Sequence, residues 1–213
     1  SRIPPADPEA GSYRREHGLS GKRVVMYAGN VGFSQSLELM VAAARTLRER
    51  PDMADVVFVI NGGGSACPSI EEQAAGLDNV VFVDYQPKER LPEVLAAADV
   101  HVVPLRRGLA RASVPSKTYS ILAAGRPIVA SVDEGTEVAR LVEKAGAGLA
   151  VPPEDPEAFT DAIVTLLEDP DRAAAMGRAG RAFVESWASP AAIAQRYEEL
   201  FEELRSRRRG AAG

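Results

Sequence analysis

The chain has one cysteine, two histidines and one tryptophan in 213 residues. The solitary Cys67 excludes a disulfide framework and makes a reducing compartment the default. His17 and His101 show no metal-ligand spacing, and so few histidines leave no arguable Ser-His-Asp set. His101 falls inside an apolar run and reads as structural. No apolar stretch is long enough to span a bilayer, and no signal peptide is evident. There is no basic excess: the net charge is −5, so no positive field gathers the phosphates of a nucleic acid. The one basic run, Arg205–Arg209, reads as a solvated helix end, with an anionic membrane surface as the alternative. Internal repeats and low-complexity tracts are absent. So is an initiating methionine. Ile3-Pro4-Pro5-Ala6-Asp7-Pro8 has linker composition, so residues 1–20 are expected to be an inter-domain linker remnant, with a short helix near Tyr13–His17 and a further domain upstream.

What is present is ordinary for a soluble globular chain: 46% hydrophobic and 26% charged residues. Six short apolar runs stand out, at residues 24–28, 56–60, 80–83, 100–103, 128–130 and 149–151. Helical periodicity separates them. Leu37, Met40, Val41, Ala44 and Leu47 form one stripe, closed by Pro51; Leu91, Val94, Leu95 and Ala98 form another within Glu89–Ala98. Further helices are expected near 69–76, 135–144, 158–167 and 171–186, with a last one from about Pro190. Strand–helix alternation specifies an α/β fold: a doubly wound, Rossmann-like parallel six-stranded sheet with extra C-terminal helices. The expected strand order is 3-2-1-4-5-6, with the ligand crevice at the switch point between strands one and four. The domain proper is placed at 21–186, and 187–213 as a C-terminal helix crossing back towards the upstream domain.

Two punctuated loops converge on that crevice. Gly29-Asn30-Val31-Gly32 follows strand one, with Gln35 near the next helix start. It lacks the third glycine of a dinucleotide fingerprint; backbone approach to a phosphate or sugar and a tight turn both stay open. Strand four feeds Ser113-Val114-Pro115-Ser116-Lys117-Thr118. Here Pro115 suits a first helical turn and Ser113 or Ser116 suits a cap. A lysine at a helix start is unfavourable unless an anion sits before it. Asn61-Gly62-Gly63-Gly64, one strand outward, reads as a turn and loop rather than a direct ligand. Asp84-Tyr85-Gln86-Pro87 suits either a nucleobase pocket or a plain Asp–Pro turn. Asp99, Asp133, Glu134 and Glu137 are the acids near strand ends.

In this order the residues resemble the C-terminal, donor-binding half of a GT-B fold glycosyltransferase. The likeness is to the large retaining group that includes bacterial capsule, colanic-acid and O-antigen transferases. Its carriers are Tyr27–Gly32 with Gln35, Gly62–Gly64, Val83–Pro87 with Leu91-Pro92, Ala96–Val100, Val114–Lys117 and Ala123–Ala130. The resemblance implies transfer of a sugar from a nucleoside diphosphate sugar, UDP favoured, to a glycan or lipid-linked acceptor in polysaccharide biosynthesis. It implies a diphosphate site at Ser116, Lys117, Thr118, Gly29, Asn30, Gly32 and Gln35. The nucleoside would meet Asp84, Tyr85, Gln86 and Ser120. The catalytic residues stay unassigned. Metal and cofactor are not expected; helix N–H groups and Lys117 would meet the leaving-group charge. Partners would be the nucleotide sugar, an upstream acceptor-binding domain and the acceptor, with peripheral membrane association as an option. The setting would be cytoplasmic, at the inner face of the membrane in that case. Two departures stand out. The paired glutamates of many relatives fall here on Ala112 and Ser120, and the basic pair of the first loop is replaced by Asn30 and Gln35. A sugar-nucleotide epimerase of related fold and a non-catalytic donor domain are the alternatives.

Overall fold

The computed structural model describes residues 11–109 and 116–187, together with Ala194, Tyr197, Glu198 and Phe201. Six strands, β1 (Arg23–Ala28), β2 (Val56–Asn61), β3 (Val80–Val83), β4 (Val100–Pro104), β5 (Ile128–Ser131) and β6 (Gly148–Val151), form one parallel sheet in the order β3-β2-β1-β4-β5-β6. Uninterrupted apolar runs such as Val56-Val57-Phe58-Val59-Ile60 suit strands covered on both faces. The covering helices are α1 (Tyr13–Glu16), α2 (Glu38–Arg48), α3 (Cys67–Gln73), α4 (Leu91–Ala96), α5 (Ser116–Ala123), α6 (Glu137–Ala145), α7 (Pro156–Glu168) and α8 (Pro170–Trp187). The doubly wound, Rossmann-like architecture and its strand order are as expected.

Side chains alternate between the faces. Val25, Tyr27, Phe58 and Ile60 join the core under α2 and α7; Val24, Met26, Val57 and Val59 join Tyr13 of α1 and Val94 of α4 on the other side. Local chemistry fixes the helix ends. Thr136 accepts the Ala139 N–H at the start of α6, and Gly146, at φ 58°, closes it in the left-handed conformation. Asp155 caps α7 ahead of Pro156.

The helix expected over Glu89–Ala98 divides into a turn at Lys88–Arg90 and α4. Pro92 lacks an N–H and belongs in a first turn, so the helix starts there. The stretch placed with the linker carries α1, and it packs into the domain. Tyr13 and Leu19 are buried, and the Arg14 guanidinium bonds the Ala97 and Lys22 carbonyls and Asp99. Residues 1–10, the Ser113–Pro115 helix entry and nearly all of 188–213 lie outside the described residues. Among the described residues no helix is long and apolar enough to cross a membrane.

The helix α5, which carries Lys117, is held by α8. A Cβ on Gly177 would come within 2.1 Å of the Gly125 carbonyl, and one on Gly180 within 2.7 Å of Leu122. Only glycines permit this approach. Arg181 then donates to the Ala123 carbonyl at 2.6 Å, meeting the negative end of α5.

Candidate functional site

The carboxyl ends of β1 and β2 carry two glycine loops that form one body. Gly29 donates its N–H to the Asn61 carbonyl, and Val31 to that of Gly63, both at 2.9 Å. A Cβ on Gly62 would lie 1.9 Å from the Gly29 oxygen, and one on Gly64 2.3 Å from that of Val31. Gly62 and Gly64 also have φ of 148° and 156°, within the range where side chains are strained. The second glycine run therefore serves backbone packing, as the turn reading expected.

Beside these loops opens a cavity of about 240 Å³. Ala28, Gly29 and Asn61 line it from the strand ends, Tyr85 and Gln86 from beyond β3. Leu91, Val94 and Leu95 come from α4, Lys117 and Ser120 from α5. It is an apolar hollow with a few polar groups, the usual make-up of a small-ligand site. A second cavity, of about 230 Å³, opens at the amino ends of the strands. Two of its charges are already paired, Arg23 with Asp55 and Asp99 with Arg14.

Lys117 lies in the first turn of α5, where unpaired N–H groups give partial positive charge. Its Nζ donates to Tyr27 Oη at 2.7 Å and stands 3.9 Å from the centre of that ring. Tyr27 is fully buried, and its hydroxyl donates in turn to the Asn30 carbonyl on the glycine loop. Among the described residues no carboxylate pairs with Lys117. Burial alone pushes its pKa down from 10.5 to about 7. A part-buried ammonium without an anion is an electrostatic demand that an anionic ligand would meet.

The expected site residues divide. Gly29, Lys117, Ser120, Tyr85 and Gln86 come together around the cavity. Ser116 opens α5. Gln35 is turned inward to its own loop: its Oε1 accepts the Gly32 N–H and its Nε2 donates to Ser34. Asn30 is exposed, Thr118 is fully buried, and neither lines the cavity. Asp84 is exposed outside it, its carbonyl accepting from Gln86.

The remaining charged residues have structural partners. Asp99 lies at the amino end of β4, not at the ligand edge, and binds Arg14 and the Val24 N–H. Arg106 pairs with Glu38 and Arg107 with Glu154, so neither adds free positive charge to the cleft; Arg111 and Ala112 lie outside the described residues. Asp133 accepts the Gly108 N–H at 2.6 Å. His101 is buried with Nε2 2.9 Å from the Leu95 carbonyl, and burial lowers its pKa to about 4. Among the described residues no three His, Cys, Asp or Glu side chains gather as a metal site.

Two residues not singled out for the site from sequence belong to it. Tyr27 carries a hydroxyl into the last turn-in of an apolar strand, where it must find a partner. Asn61 ends an otherwise apolar strand with an amide.

Comparison with known proteins identifies the family. "Glycosyl transferases group 1" matches residues 22–169. A protein of Escherichia coli named as the colanic acid biosynthesis glycosyl transferase WcaI is 35% identical over 162 residues, covering 74% of this chain and 39% of that protein. The GDP-mannose-dependent alpha-(1-6)-phosphatidylinositol monomannoside mannosyltransferase of Mycolicibacterium smegmatis is 34% identical over 189 residues, covering 85% and 48%. The chain thus spans less than half the length of these relatives. Among solved structures, sucrose-phosphate synthase from Thermosynechococcus elongatus superposes with a TM-score of 0.74 at 24% identity, over 97% of this chain and 51% of that one. Anabaena HepE in complex with UDP superposes with a TM-score of 0.72 at 18% identity, over 90% and 52%. These likenesses bear out the fold expected for the C-terminal half of a GT-B enzyme.

Proposed function

The chain belongs to the group 1 glycosyl transferases, and from that premise we propose that it is the donor-binding half of an enzyme moving a sugar from a nucleoside diphosphate sugar to a glycan or lipid-linked acceptor. The acceptor-binding half would lie upstream. The observation that carries this reading is Lys117: part-buried, at a helix N-terminus, lining a cavity at the switch point and with no carboxylate partner among the described residues. The donor diphosphate would supply that anion, with Gly29 allowing close backbone approach. Lys117 and the α5 N–H groups would then stabilise the nucleoside diphosphate as it leaves. No metal or other cofactor enters the proposal.

The nucleoside would occupy the end walled by Leu91, Val94 and Tyr85. Gln86 lines that end as well, its Nε2 donating to the Asp84 carbonyl and its Oε1 accepting from Arg90. UDP is proposed over GDP on the likeness to HepE, a structure solved with it. The mannosyltransferase relative, by contrast, is named for GDP-mannose. The setting would be cytoplasmic, with the membrane's inner face where the acceptor is lipid-linked.

One observation favours a second reading. Ser120 lines the cavity where a carboxylate would suit the ribose, so the domain could hold nucleotide without supporting turnover. Calorimetric titration of UDP and GDP into wild type and Lys117→Ala tests the first reading. UDP should bind more tightly than GDP, and the substitution should weaken UDP at least ~10-fold, the scale of one charge-assisted contact. Equal UDP affinity in both proteins would remove Lys117 from the diphosphate site. Transfer activity, once the upstream half is joined, separates an enzyme from a binding domain.

A further inference from the structure

Asn61 is 5% exposed, yet it lines the cavity. It follows Val57 and Val59 on the face of the sheet covered by α1 and α4, and it stands in register with Ala28, another cavity residue. Its Oδ1 accepts a hydrogen bond from Tyr13 Oη at 2.7 Å. Tyr13, 48 positions away on α1, is fully buried, and burial pushes its pKa upward, so the phenol keeps its proton. That proton fixes the amide orientation. With the amide reversed, the phenolic O–H would face another donor and lose its partner, which costs about 1–3 kcal/mol in a buried site. The Asn61 carbonyl is therefore committed to the protein. Its NH2 has no partner among the described residues.

We infer that Asn61 is a recognition residue of the cavity. Its NH2, oriented by the Tyr13 hydroxyl, donates to an acceptor oxygen of the bound nucleotide. This deepens the donor-site reading and rests on it. Tyr13 is a positioning residue: it acts through Asn61 and does not line the cavity. The helix that carries it falls in the stretch expected as linker but packs into the domain, so a residue before the expected domain start sets a hydrogen bond inside the pocket.

The test is a double-mutant cycle read by calorimetric titration of UDP. Asn61→Ala should weaken UDP about 10-fold and Tyr13→Phe about 3-fold, the scale of one buried hydrogen bond and of its partial disorder. Tyr13→Phe added to Asn61→Ala should weaken it no further. Should Asn61→Ala not fold, Asn61→Ser, a small neutral side chain without the NH2, takes its place in the same UDP titration and should lose a similar factor. Titrations with UMP and inorganic pyrophosphate locate the acceptor. A loss confined to UMP places it on the nucleoside, and a loss shared by pyrophosphate places it on the phosphates; either supports the assignment. Unchanged UDP affinity in the Asn61 variants overturns it, as does a Tyr13→Phe penalty that persists in the Asn61→Ala background. Wild type binding no UDP overturns the donor-site reading beneath it.

Discussion

Raising the pH should weaken nucleotide binding and stabilise the empty domain, and both effects should come from Lys117. Burial lowers its pKa from 10.5 to about 7 in the empty site. Bound diphosphate favours the ammonium and raises that pKa, so binding takes up a proton. Above about pH 7.5 UDP is fully ionised, since a terminal phosphate has a second pKa of about 6. The change that remains is in the lysine. Taking a free-site pKa of about 7, roughly a quarter of the lysines are charged at pH 7.5 and about 3% at pH 8.5, so affinity should fall about 8-fold across that unit. Calorimetry at pH 7.5 in buffers of different ionisation enthalpy should count about 0.8 proton taken up per UDP bound.

The stability effect has the opposite sign. Between pH 7 and 10.5 the unfolded chain holds the Lys117 proton and the folded chain does not, so unfolding becomes less favourable as pH rises. Urea denaturation of wild type and Lys117→Met, compared at pH 7 and 9, isolates this contribution; the wild type should gain on the variant at pH 9. A UDP affinity that is flat from pH 7.5 to 8.5, with no proton uptake, refutes the reasoning.

Two further substitutions probe the frame around the site. Gly62→Ala would place a methyl 1.9 Å from the Gly29 oxygen at a φ of 148°, so urea denaturation should show a loss of at least about 3 kcal/mol; less than about 1 kcal/mol would mean that the two loops part easily. Arg14→Met leaves Asp99 the Val24 N–H and removes donors from the Ala97 and Lys22 carbonyls, so about 2 kcal/mol should be lost in the same assay.

The sheet could be read because its signals are local. Each strand is an unbroken apolar run, and the order follows from parallel crossovers. That Lys117 faces a cavity could be expected for the same reason, since a cation at a helix start is anomalous in sequence. What could not be read depends on long-range partners. Gln35 follows the glycine loop and suits a phosphate donor, but the Gly32 N–H lies closer and takes its oxygen. Arg14 looks like linker charge because nothing nearby in sequence reveals the carbonyls that receive it. Asn61 and Tyr13 are 48 positions apart, and only the fold joins them.

The charge balance of the cavity bears on the serine at position 120. Among the described residues that line it, Lys117 alone is charged. Arg106 and Arg107, the described cations of the preceding loop, are paired with Glu38 and Glu154. A glutamate at position 120, on the first turns of the same helix, would give Lys117 a carboxylate neighbour in the same hollow. With Ser120 there, the lysine has only the Tyr27 hydroxyl and ring to hold it. Neither neutralises its charge, so its full attraction is left for the ligand. On the proposed donor reading, Ser120 would therefore leave recognition to the phosphates rather than to the ribose. A site so arranged should lose much of its discrimination when the diphosphate is removed from the ligand, and uridine alone should bind far more weakly than UDP.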